Sequence, residues 1–97
     1  MYARIGRARI RPGAEDELKG FCAELARASP GATGPRYWMN FVTDDDELIV
    51  IGVYASAEER AASGPRNLAR WRVGRHLLAE EPRFSYAELT QFVARRP

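Results

Sequence analysis

The sequence predicts an α+β protein, one antiparallel sheet with helices packed against one of its faces. Two observations carry this. Period-two and helical patterns follow one another in the order strand, helix, strand, strand, helix, strand. The stretch Glu47-Leu48-Ile49-Val50-Ile51-Gly52-Val53-Tyr54 is followed at once by Ser56-x-x-Glu59, a capping box that starts a helix. Read in alternation, that strand carries Leu48, Val50, Gly52 and Tyr54 on one face and Ile49, Ile51 and Val53 on the other. Neither face is polar, so both expect cover. Helices from so short a chain can cover one; the expected cover for the other is a second copy of the chain.

The 97 residues make one domain, 1–97, large enough for a core without staples. A hydrophobic share of 45% and a charged share of 29% are ordinary for a globular protein. The lone Cys22 permits neither an internal disulfide nor a thiolate metal cluster. No apolar run approaches the ~18 residues of a membrane span, and Met1-Tyr2-Ala3-Arg4 opens a strand rather than a signal peptide, so a cytoplasmic location is expected. Of the 15 basic residues 14 are arginine, but 13 acids offset them. That balance does not indicate a nucleic-acid footprint.

Residues 2–11 form the first strand, with Ile5, Ala8 and Ile10 as apolar markers. Their parity changes after Ile5, which predicts either a bulge near Gly6-Arg7 or burial on both faces. Pro12-Gly13 ends the strand. Ala14, Leu18, Phe21, Cys22 and Leu25 then follow helical spacing, with Glu15, Asp16 and Glu17 in the first turn and Arg27 in the last, as the helix dipole favours. Ser29-Pro30-Gly31 stops this helix, and Thr33-Gly34-Pro35 leads into an aromatic and β-branched strand over 36–43. Asp44-Asp45-Asp46 has hairpin-loop length; without Gly or Glu at EF-hand spacing it reads as a solvated turn, not a Ca²⁺ loop.

After the double-faced strand, residues 57–63 form a short helix and Pro65 starts another running to about Glu80. Leu68, Trp71 and Leu78 share one side of it while Val73 and Leu77 lie opposite. That predicts a kink at Gly74 or a helix held between two apolar surfaces. Pro82 closes it. The last strand covers 84–93, with Phe84, Tyr86 and Phe92 on one parity and Ala87, Leu89 and Val93 on the other. The tail, 94–97, is expected to fray. The order β-α-β-β-α-β is the ferredoxin-like split βαβ arrangement, both helices on one side of the sheet.

An opening Met-Tyr-Ala-Arg-Ile strand, Arg11-Pro12-Gly13 before an acidic helix start, Pro30-Gly31-x-x-Gly34 before an aromatic strand, and Ser56-x-Glu58-Glu59 after the long apolar strand together resemble the antibiotic biosynthesis monooxygenase (ABM) family. The resemblance runs over nearly the whole chain. It implies a homodimeric α/β barrel in which two ferredoxin-like sheets pack face to face. It also implies a small-molecule pocket and, among family activities, cofactor-independent monooxygenation (an oxidoreductase reaction) of flat aromatic, polyketide-like or quinol compounds. The alternative is a non-catalytic ligand-binding or structural dimer of the same fold. The family's haem-degrading members carry an Asn that falls on Gly6 here and a Trp that falls on Ser63, so haem is not implied. No cofactor and no metal are expected, since neither nucleotide loops nor ligand clusters occur.

Candidate site residues follow from chemistry. His76, the only histidine, is the one side chain that titrates near neutrality unperturbed, and in a pocket it would take a proton from a phenol or hydroquinone. Trp38 and Asn40 share a strand face, about 7 Å apart, where an indole could stack on a flat ring and an amide could hold an oxyanion. Trp71 and Tyr54 would close the same cavity. Each has a plainer structural role: His76 on the surface, the two Trp in the core, Asn40 at a strand end. Cys22 falls on the apolar face of its helix as a small hydrophobe. RNA-binding domains of the same topology stack bases on third-strand aromatics, which this chain's third strand lacks, so neither nucleic acid nor membrane is an expected partner.

Overall fold

The computed structural model describes residues 1–27 and 34–95. Strand β1 is Tyr2–Arg9, helix α1 Glu15–Arg27, β2 Tyr37–Val42, β3 Glu47–Tyr54, α2 Ala57–Ala62, α3 Gly64–Val73 and β4 Arg83–Glu88, with a 3₁₀ turn at Arg75–Leu77 before β4. The four strands form one antiparallel sheet in the order β2-β3-β1-β4, the ferredoxin-like arrangement. The expected stop at Ser29-Pro30-Gly31 and the end of the fraying tail lie outside the described residues, as does Thr33 of the lead into β2.

The bulge alternative for β1 is excluded. Its ladder with β3 runs unbroken from Tyr2↔Tyr54 to Arg9↔Glu47, and that with β4 from Tyr2↔Glu88 to Arg7↔Arg83. The parity change comes from burial on both faces. Arg4, Gly6 and Ala8 are buried beneath the helices, Ala3 on the opposite side. Beneath the helices Ala8, Ile10, Leu18, Leu48, Trp71, Leu77 and Leu78 close the core.

Two boundaries differ from the sequence-based expectation by more than two residues. The last helix does not reach Glu80 but ends at Val73. Gly74 follows because Phe21 of α1 packs on its backbone: a Cβ there would lie 2.8 Å from Phe21 Cε1. The chain then tightens into the 3₁₀ turn, and Leu78 becomes extended and bridges Ile10, which places Leu77 and Leu78 both in the core. The helix is thus neither kinked nor sandwiched: of its second apolar side, Leu77 belongs to the 3₁₀ turn, and Val73, the last residue of α3, is exposed.

Strand β4 ends at Glu88 rather than 93. Leu89 still donates its N–H to the Met1 carbonyl, but Phe92 stacks on Tyr37 at 4.7 Å. Tyr37 lies on the helix-free face at the far edge strand, so the segment after β4 crosses that face. Phe92 therefore leaves the side it was expected to share with Phe84 and Tyr86.

The hairpin loop closes as expected of a solvated turn. Thr43 Oγ1 donates to Asp45 at 2.6 Å and accepts from the Glu47 N–H, and Asp46 takes a left-handed φ of 62°. That bond from Thr43 is the main reason the Asp45 carboxyl sits below its usual range. Ser56 caps α2 through the Glu59 N–H, as the capping box predicts.

The helix-free face presents Met39 and Phe41 from β2, Ile49, Ile51 and Val53 from β3, and Ile5 from β1 in adjacent registers. Phe41 remains 47% exposed. No helix of the described residues is long and apolar enough to cross a membrane.

Candidate functional site

Between the helices and the covered face of the sheet lies a cavity of about 710 Å³, its open mouth included. Strand alternation decides which residues reach it. In β2 the even positions Trp38 and Asn40 point in while Tyr37, Met39 and Phe41 point to the opposite face; in β3, Leu48, Val50, Gly52 and Tyr54 point in. Helix α1 contributes Leu18, Phe21 and Cys22 from its apolar stripe, and α3 contributes Asn67, Arg70 and Trp71 at helical spacing.

Trp71 forms one wall directly against the sheet. Its indole lies on the backbone of Gly6, where a Cβ would come within 2.6 Å of Cζ2, and meets Phe84 edge-on at 5.7 Å. Gly6 is thus needed here as the floor beneath an indole. Opposite, the Arg70 guanidinium lies 5.2 Å from the centre of the Trp38 ring. Beside Trp38, the Asn40 Oδ1 is buried with no hydrogen-bond partner. A buried acceptor without a donor carries a penalty of about 1–3 kcal/mol, removed when a ligand donates to it.

At the other end Arg4 of β1 turns its guanidinium under α2. Nη1 donates to the Tyr54 hydroxyl at 3.3 Å and to Ser63 Oγ at 3.1 Å, and Nη2 donates to the Arg60 carbonyl at 2.6 Å. Tyr54, expected to close the cavity, lines it; its hydroxyl accepts from Arg4 and it is itself buried. Burial pushes the Cys22 thiol up, which keeps it neutral.

Trp38, Asn40, Tyr54 and Trp71 therefore line one cavity. His76 does not join them. It falls in the 3₁₀ turn beyond the end of α3, its side chain is 65% exposed, and Nε2 lies 3.7 Å from Glu17 at the surface. The early end of α3 at Gly74 is the reason: a helix continued to Glu80 would have turned this position differently. Among the lining residues there is neither imidazole nor carboxylate. Arg4, Asn67 and Arg70 are the polar groups that sequence reasoning passed over. The available signal for Arg4 was its even parity in β1, the same parity as Ala8 and Ile10.

No protein-family model matches the sequence, and no curated protein matches it. Solved structures match well. A protein of unknown function, NE2512 from Nitrosomonas europaea, superposes with a TM-score of 0.80 at 20% identity, covering 99% of this chain and 95% of that one. Rv0793 from Mycobacterium tuberculosis gives a TM-score of 0.73 at 20% identity over 96% and 98% of the two chains. A Chloroflexus aurantiacus protein provisionally named as an antibiotic biosynthesis monooxygenase gives 0.62 at 25% identity over 96% and 98%. The chain thus has the ferredoxin-like fold of proteins that carry the ABM name, and its resemblance to that family extends over nearly its whole length.

Proposed function

We propose that this protein binds a flat aromatic, polyketide-like or quinol compound in the cavity between sheet and helices, as a homodimer closed into an α/β barrel through the helix-free faces. The observation that carries the ligand reading is the meeting of two indoles and an unpartnered, buried amide oxygen in one cavity. Trp38 and Trp71 offer apolar ring faces, and Asn40 offers an acceptor that a ring hydroxyl would satisfy. Dimerisation is supported by Ile5, Met39, Phe41, Ile49 and Ile51 forming a continuous apolar surface on the other side of the sheet.

A lining without imidazole or carboxylate favours binding over catalysis, since no group of ordinary basicity stands ready to take a proton. Cofactor-independent monooxygenation is the second reading, favoured by Arg4, whose charge would hold a quinol that ionises without a general base. In that reaction O₂ is the oxidant: a quinol and O₂ give a hydroxyquinone and water, one oxygen atom turning a ring C–H into C–OH and the other leaving as water with two of the substrate's hydrogens, as a CH₂ of anthrone would become C=O.

Quenching of tryptophan emission by 2-methyl-1,4-naphthoquinone tests the first reading. Saturable quenching is expected, weakened up to roughly tenfold by Trp38→Ala, the scale of an aromatic contact of about 0.5–1.5 kcal/mol. Quenching that rises linearly with quinone and is the same in the variant overturns it. An oxygen electrode with anthrone tests the second: uptake no faster than spontaneous autoxidation leaves binding alone.

A further inference from the structure

Arg4 narrows the ligand, given the binding cavity proposed above. It is 5% exposed, the one charged side chain among the fully buried residues described. All its partners are neutral: the Tyr54 hydroxyl, Ser63 Oγ and the Arg60 carbonyl, with the rings of Tyr54 and Tyr86 at 5.5 and 6.0 Å. A guanidinium has five N–H donors, so Nε–H and one Nη2–H have no acceptor among the described residues. Among the described residues no carboxylate pairs with it, and Glu58 and Glu59 of α2 are on exposed positions. A buried cation without an anion is costly, and the rest of the lining adds a second cation, Arg70, and no acid.

We infer that the cavity takes an aromatic anion, with its charge on an ionised ring oxygen or a carboxylate directed at Arg4. Asn40 supports this from the other end. Its buried Oδ1 lacks a donor, so a ligand with an oxyanion at one edge and a hydroxyl at the other would satisfy both groups at once. Tyr54 and Ser63 act as positioning residues: their oxygens hold the Nη1 side and leave the Nε side for the ligand.

Two pairs of probes of matched shape test the inference by calorimetry and tryptophan quenching. The first is 2-hydroxy-1,4-naphthoquinone, an anion at neutral pH, against its 2-methoxy ether. The second is 2-naphthoate against its methyl ester. Tighter binding of either anion than of its neutral partner, by tenfold or more, supports the inference and tells which oxyanion is preferred. Arg4→Gln should abolish the preference while leaving the neutral probes bound, and Arg4→Lys should keep part of it. A full preference in Arg4→Gln overturns the assignment to Arg4. Equal affinity within both pairs overturns the anion while aromatic binding stands; no binding by any of the four overturns both. Should Arg4→Gln not fold, the wild type decides: affinity for the hydroxyquinone must fall as acid protonates it, and the methoxy ether must show no such change.

Discussion

Replacing Gly6 by alanine puts the placement of Trp71 to a quantitative test. The new Cβ would lie 2.6 Å from Trp71 Cζ2, 3.2 Å from Cε2 and 3.1 Å from Phe84 Cε1. Carbon atoms in contact prefer about 3.5–4.0 Å, so the indole must withdraw by roughly 1 Å. It has little room to do so, because Phe84 holds it edge-on and α3 carries it from behind. Overpacking of this kind costs about 1–3 kcal/mol, and the gain from replacing glycine in a strand returns roughly 0.5–1 kcal/mol. A net loss of about 1–2 kcal/mol remains. For a chain of this size that is a fall in Tm of roughly 5–15 °C, read by circular dichroism at matched protein concentration. Trp71 should also be displaced, changing the near-ultraviolet spectrum and weakening naphthoquinone binding. An unchanged or raised Tm with an unchanged spectrum would refute the reasoning.

Four further outcomes are expected. Ile51→Lys on the helix-free face should convert a dimer into monomer by light scattering, because an interface of this kind buries on the order of 2,000 Å² and does not tolerate an unpaired cation; a wild type of monomer mass at micromolar concentration refutes the dimer itself. His76→Ala should leave both ligand affinity and stability within about 0.5 kcal/mol of wild type, since its ion pair with Glu17 lies at the surface. Asp46→Val should cost about 1–2 kcal/mol in denaturant titration and Asp46→Gly nothing, because a β-branched side chain resists the left-handed φ of 62°. Burial raises the Cys22 pKa, so the neutral thiol's contribution is full below the ordinary thiol pKa and is lost as pH rises through the higher folded value. Alkylation at pH 8 should therefore be slow until denaturant is added, and Cys22→Ala should flatten the alkaline loss of stability.

Local pattern determined most of the architecture. Period-two runs and a capping box placed three of the four strands and α2, because those signals act between residues a few positions apart. The same alternation put Trp38 and Asn40 on one strand face and marked β3 as needing cover on both. Tertiary contact decided the rest. Helix α3 ends where it does because Phe21, more than fifty positions earlier in the chain, packs on Gly74; that one contact sends Leu78 to Ile10 and His76 to solvent. Gly6 reads as a bulge until Trp71 is seen lying on it. Strand β4 stops early because Phe92 finds Tyr37 across the sheet. The buried charge of Arg4 was also hidden, since an arginine on a strand reads as exposed until an α2 carbonyl, a hydroxyl from β3 and Ser63 close around it. Periodicity records which face a residue takes, while the partner on that face comes from a distant part of the chain, and only the folded arrangement supplies it.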